Sequence, residues 1–169
     1  MKLIDRLLIN YKALIIREKL KAKEDYLDLY NLIRKNPKIE IKEINLDPKI
    51  SGCINFRKDK SLIVINRNDS FNRKRFTIAH ELYHYFYDGN DDHANIFASY
   101  LLAPYNALYK KIKQFNYEIS DENLNHLSKH FGMSKAALFK RLVLDGYLSD
   151  EKLKHFIKHN RKERLEIRI

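Results

Sequence analysis

Residues 76–87 read FTIAHELYHYFY, with Phe76, Ala79, Leu82, Tyr83 and Phe86 at spacings of three, four and one. That is the period of a helix with one apolar face. Asp88-Gly89-Asn90 ends it. Inside the stretch lies His80-Glu81-Leu82-Tyr83-His84, an H-E-x-x-H pattern. Residues i and i+4 of a helix stand one turn apart on one face, so both imidazoles can reach one ion at about 2.0–2.1 Å. Glu81 lies about 100° further round, close enough to take a proton from a water beside that ion. It is therefore placed as a general base, His80 and His84 as metal ligands. The plain alternative is a solvated helix with two surface histidines. Phe76, Ile78, Ala79, Leu82 and Phe86 argue against it, because they make this a buried helix. Burying two imidazoles and a carboxylate without partners would be costly.

A catalytic zinc needs a third protein ligand and one open position. Asp88, Asp91, Asp92 and His93 lie just downstream, where a rapid reversal at Gly89-Asn90 brings the next helix back across the first. Asp91, Asp92 and Asn95 also read as ordinary capping residues at a helix N-terminus.

Outward from the motif, the chain alternates short elements. Ile4, Leu7, Leu8, Tyr11, Leu14 and Ile15, then Leu29, Leu32 and Ile33, give helical character over 1–35, stopped by Asn36-Pro37. Strand character follows over 39–46, 53–58 and 61–66, the last a continuous apolar run. Lys58-Asp59-Lys60 is short enough for a hairpin, and Asp47-Pro48 and Ser51-Gly52 mark the preceding turn. A second helix over 91–102 closes at Pro104. Helices over 121–131 and 134–145 flank Gly132-Met133-Ser134, and another runs from Ser149 to His159. The tail RLEIRI reads as an edge strand or a frayed end. No element is assigned between Pro104 and residue 121. The order predicts an α+β fold, a small, mainly antiparallel three-stranded sheet packed on helices that include the motif helix. Its divisions are an N-terminal helical segment (1–36), a core (37–148), and a C-terminal helix with a basic tail (149–169).

The 169 residues fit one domain. With 44% hydrophobic and 12% aromatic residues, wholesale disorder is excluded. The single cysteine, Cys53, excludes a disulfide framework and a four-cysteine zinc site. No apolar run exceeds four residues and no signal-peptide pattern opens the chain, which predicts a soluble cytoplasmic protein with no membrane partner. The net charge of +11 also fits nucleic acid. The spread of basic residues along the chain does not favour it as a partner. Cys53 reads as core, Arg73-Lys74-Arg75 as a solvated helix start or, because it lies against the helix dipole, as a contact to an acidic substrate or the sheet, and Tyr85, Phe86 and Tyr87 as packing. His126, His130, His155 and His159 read as surface residues.

Two runs carry a family resemblance. Arg75-Phe76-Thr77-Ile78-Ala79-His80-Glu81-Leu82-Tyr83-His84-Tyr85 resembles the R-F-T-x-A-H-E-L-x-H-Y core of the ImmA/IrrE metallopeptidases, and residues 94–104 resemble their A-N-x-F-A-x-x-L-L-x-P second-helix signature. The similarity extends over about 37–148. It implies a zincin-like fold, a zinc ion, and an acidic third ligand four positions before the Asn of A-N. That position is Asp91, one methylene shorter than the usual Glu, with His93 and Asp92 as alternatives. Asn95 would hydrogen-bond a ligand histidine from behind. Tyr83 stands where the family most often has Gly. The implied role is cleavage of a helix-turn-helix repressor, often encoded beside the peptidase on a phage, a mobile element or a stress operon, to regulate transcription. The substrate is expected to lie extended along an edge strand near 61–66.

Residues 124–148 also resemble a DNA-binding helix-turn-helix. Leu127, Phe131, Leu138 and Leu142 would form its core, and Lys135, Lys140 and Arg141 a basic second helix capped by Ser134. The alternatives to a peptidase are therefore a DNA-binding regulator and a catalytically silent relative that holds a partner without cutting it.

Overall fold

The computed structural model describes residues 3–22 and 25–152. Among them are seven helices, α1 (Leu3–Lys19), α2 (Leu29–Arg34), α3 (Phe71–Phe86), α4 (Asp91–Leu102), α5 (Tyr105–Gln114), α6 (Asp121–Phe131) and α7 (Lys135–Leu144). Three strands, β1 (Ile39–Ile44), β2 (Gly52–Asn55) and β3 (Ser61–Asn66), form one sheet in the order β1-β3-β2. The expected helix to His159 and the tail strand fall mostly on 153–169, outside the described residues.

The sheet is mixed. β2 pairs antiparallel with β3, with Cys53 opposite Val64, as the short hairpin demands. β1 pairs parallel with β3, with Ile41 opposite Ile63. The mainly antiparallel expectation is corrected to one antiparallel and one parallel pair. β3 takes the middle because its run is apolar on both faces. Ile63 and Ile65 are fully buried, and Ser61 and Leu62 nearly so. Residues 61–66 therefore offer no free edge for the expected extended substrate, and the edges of the sheet are β1 and β2. Ser51 C=O accepts from Asn66 N–H at 2.7 Å, so by alternation Ser51, Cys53 and Asn55 bond inward. The backbone groups of Gly52 and Ile54 face outward.

Helix α3 crosses behind β2 and β3 at close range. A Cβ on Gly52 would stand 2.6 Å from Thr77 Cγ2 and 2.5 Å from Val64 O, so only glycine lets the helix approach this strand. Ser70 caps α3 by accepting from Arg73 N–H. The first turn is not solvated, and of the two readings of Arg73-Lys74-Arg75 the contact to the sheet holds. Arg73 reaches Ser51 Oγ at 2.8 Å, and Lys74 pairs with Glu43 of β1 at 2.8 Å. Arg75 is fully buried. It donates to Phe131 O at 3.0 Å, to Gly132 O and to Leu27 O at 2.7 Å, and it lies 4.2 Å over the Tyr26 ring. Gly132 has φ 58°, and a Cβ there would stand 1.9 Å from Arg75 Nη1. The α6–α7 turn is thus bolted to α3 by one guanidinium.

Residues 105–114, with no element expected, form α5 and bury Ala107, Leu108 and Ile112. The helical stretch over 1–35 is two helices, and Lys21 leaves α1 at φ 53°. α1 packs on α4. Its Ile9, Ala13 and Ile16 join the same core as Ile63, Leu82, Phe97, Leu101 and Leu142.

Candidate metal centre and cleft

Four residues separate α3 from α4, and the two helices pack antiparallel. Tyr87 caps α3 in extended conformation, its N–H on Tyr83 O, and Asn90 caps α4 by accepting from His93 N–H. The reversal sets the last turn of α3 against the first of α4. His84 consequently faces Asp91, and one turn deeper His80 faces Asn95.

The side chains meet as this register requires. His80 Nε2 and His84 Nε2 are 3.2 Å apart. Asp91 Oδ1 lies 3.5 Å from the first and 3.3 Å from the second. Two donors at about 2.0–2.1 Å from one tetrahedral ion stand about 3.3–3.4 Å from each other. The three atoms therefore form one face of a tetrahedron of zinc dimensions, and the fourth vertex is left to water or substrate. Among the described residues this is the one such group of three. Asp92, exposed, and His93, whose N–H carries the Asn90 cap, are not in it. Asp88 is not in it either; its carbonyl accepts from the Tyr83 hydroxyl at 3.3 Å. The shorter side chain of Asp91 still closes the triangle, because it starts from the first residue of α4.

His80 Nδ1 is 3.0 Å from Asn95 Oδ1. A carbonyl oxygen only accepts, so the ring carries its proton on Nδ1 and presents the Nε2 lone pair to the triangle. Burial holds this imidazole below its ordinary pKa, which keeps it neutral and able to ligate. Glu81 is buried beside the triangle. Burial, then the Asp91 charge, pushes its carboxyl up to about 7, while a hydrogen bond from Ile54 N–H pulls it back. That bond comes from the outward edge of β2 and ties the carboxylate to the strand.

A cleft of about 540 Å³ opens over these groups, walled by β2 and its flanks. Ile50 and Phe56, 49% and 62% exposed, offer apolar contacts at its two ends. Cys53 belongs to this wall too. It is exposed, not core as expected, because its odd position puts it on the face of β2 away from α3. Partial burial and the Glu81 charge raise its thiol pKa, so it is no activated nucleophile.

The model of the Peptidase_M78 family, the IrrE N-terminal-like domain, matches residues 34–143. The chain belongs to this family. A search of the curated proteins gives no match. Membership makes the chain a metallopeptidase-like protein of the IrrE type, and the two histidines and Asp91 supply a donor set suited to its metal. Tyr83, bulky where the family most often has Gly, does not narrow the cleft. It is fully buried behind the site, its ring 5.4 Å from Phe97 and 5.7 Å from both Tyr87 and His84. Sequence reasoning missed the part played by Ile54 N–H, Ile50 and Phe56. The signal for them was strand order, which no local pattern carries. No helix among the described residues is long and apolar enough to cross a membrane.

Proposed function

We propose that the chain is a zinc-dependent cytoplasmic endopeptidase that cuts an extended protein segment laid along β2. The observation that carries this reading is the triangle of His80, His84 and Asp91, with Glu81 beside it and tethered to the free edge of β2. His80, His84 and Asp91 would hold the metal. When bound, it supplies Lewis-acid polarisation of a carbonyl and acidifies water towards a pKa of about 7.

The remaining work falls to the chain. The outward backbone groups of Gly52 and the Ile54 carbonyl pair with the substrate strand and fix its depth, while Ile54 N–H stays on Glu81. Glu81 takes a proton from the water that attacks the scissile carbonyl, and an O–C bond forms. Glu81 then returns that proton to the leaving nitrogen as the C–N bond breaks. Asn95 keeps the His80 ring oriented through both steps.

The substrate we infer is a helix-turn-helix repressor encoded nearby. Support comes from the similarity of the two signature runs to the ImmA/IrrE peptidases and from a cleft shaped for an extended peptide. The test is to incubate the zinc-loaded protein with that repressor and map fragments by mass spectrometry. Cleavage at one site that stops with Glu81→Gln supports the reading, and an intact repressor after prolonged incubation refutes the substrate.

The DNA-binding alternative has less support. Residues 121–144 do form helix, turn and helix, but Arg141 is 1% exposed and tied to Asp145 at 2.8 Å. It cannot reach a phosphate without leaving the core.

A further inference from the structure

Helix α1 carries apolar side chains on two opposite faces. Ile9, Ala13 and Ile16 are buried against the body of the molecule. The face turned outward is apolar as well. Leu3, Ile4, Leu7, Leu8 and Tyr11 are 55–71% exposed, and Leu14 is 44% exposed. A helix that is apolar all round is ordinarily buried all round. Six side chains of these sizes and exposures present on the order of 600 Å² of apolar surface, as much as the largest patch on a typical monomer.

The cations of this helix do not border the stripe. Arg6 donates to Leu144 O of α7, and Lys12 lies 4.5 Å over the Tyr87 ring. Both are turned onto their own molecule, which leaves no cation of α1 on the rim between Ile4 and Leu14. A helix made to lie on anionic lipid keeps such a rim. The seam instead has the pattern of a helix pair. Ile4, Leu7, Tyr11 and Leu14 follow one another at spacings of three, four and three, the spacing of the residues that interlock in paired helices. The pattern is also its own mirror image. Counted outward from Ile9, Ile4 stands opposite Leu14 and Leu7 opposite Tyr11.

We propose that this face of α1 pairs antiparallel with the same face of a second copy of the chain. A two-fold axis beside Ile9 sets Ile4 on the partner's Leu14 and Leu7 on the partner's Tyr11. Symmetry repeats both contacts, as a self-complementary interface requires. Two such stripes together remove about 1,200 Å² from water, the size at which stable interfaces begin. The flanking Leu3 and Leu8 widen the seam. None of these residues lines the β2 cleft, so the pairing stands whether or not the chain cuts peptides. α1 also precedes the family match at residue 34, so the surface is a feature of this chain outside the matched domain.

The test is sedimentation velocity of the full-length, zinc-loaded chain over a wide range of protein concentration, with the variants Leu7→Lys, Tyr11→Glu and the two combined. The expected result is a monomer–dimer equilibrium in the wild type. Each single variant should weaken association at least about tenfold with an unchanged circular dichroism spectrum, because both positions are exposed in the single chain. Antiparallel pairing sets the new Lys against the new Glu of the other copy. The combined loss should therefore be smaller than the product of the single losses, by about tenfold or more. If a charged variant does not fold, Leu7→Ala and Tyr11→Ala replace it and should each weaken association severalfold. A wild type that stays monomeric at every concentration overturns the proposal, whether the stripe is then bare or covered by residues 153–169. Association that no single variant weakens overturns it too. So does a combined loss greater than the product, which parallel pairing would give by setting Lys on Lys and Glu on Glu.

Discussion

Asn95 holds the His80 ring from behind, one turn beyond Asp91, and its removal separates orientation from ligation. Asn95→Ala should weaken zinc binding about 10–100-fold, the usual cost of losing such a partner, with the fold intact by circular dichroism. Competition with a chelating dye would measure it. Glu81→Gln removes the base but none of the triangle. It should lower peptide cleavage by at least about a hundredfold while zinc content stays the same. Gly132→Ala strikes elsewhere. The residue sits at φ 58° against Arg75, so alanine should cost more than about 1 kcal/mol and lower Tm by several degrees in calorimetry. His80, Glu81 and His84 were legible because helical spacing alone puts them on adjoining faces. Arg75 and Arg141 were not. A buried arginine that satisfies carbonyls looks, in one dimension, like any solvated charge. Cys53 misled for the opposite reason, since a small apolar residue at a strand start says nothing about which face it takes.

At the scale of elements, the free edge of β2 is the feature the cleft depends on. Ile50→Ala combined with Phe56→Ala should raise KM by on the order of tenfold and leave kcat and zinc content little changed, because these side chains line the cleft in which the proposed substrate would lie and are not metal ligands. Equal losses in kcat and metal binding would place them in the architecture of the site instead. The three strands and the motif helix could be read from alternation and period. Their order could not, because a parallel β1–β3 pair needs a contact across about 22 residues that leaves no local trace. The unbroken run of β3 did carry the clue, since a strand apolar on both faces belongs in the middle of a sheet. α5 went unassigned although its buried Ala107, Leu108 and Ile112 keep helical spacing, because no polar cap marks its start at Pro104.

The molecule as a whole is wider than its family match. α1 lies before residue 34, yet it packs on α4 and Arg17 donates to Leu101 O at 2.7 Å. Ile9, Ala13 and Ile16 are buried there, and uncovering them and the face of α4 beneath should cost on the order of 5 kcal/mol. That rivals the total stability of an ordinary domain. A chain beginning at residue 25 should therefore lose its cooperative unfolding transition, which urea denaturation followed by fluorescence would show. The central claim is that α3 and α4 are held in register to present one metal to one cleft. Zinc stoichiometry by elemental analysis of untagged protein, purified without chelator and compared with His84→Ala and Asp91→Ala, tests it most directly. The account predicts close to one zinc per chain, lost in His84→Ala and weakened in Asp91→Ala. A folded wild-type protein that takes up no zinc, or binds it equally in all three forms, would contradict it.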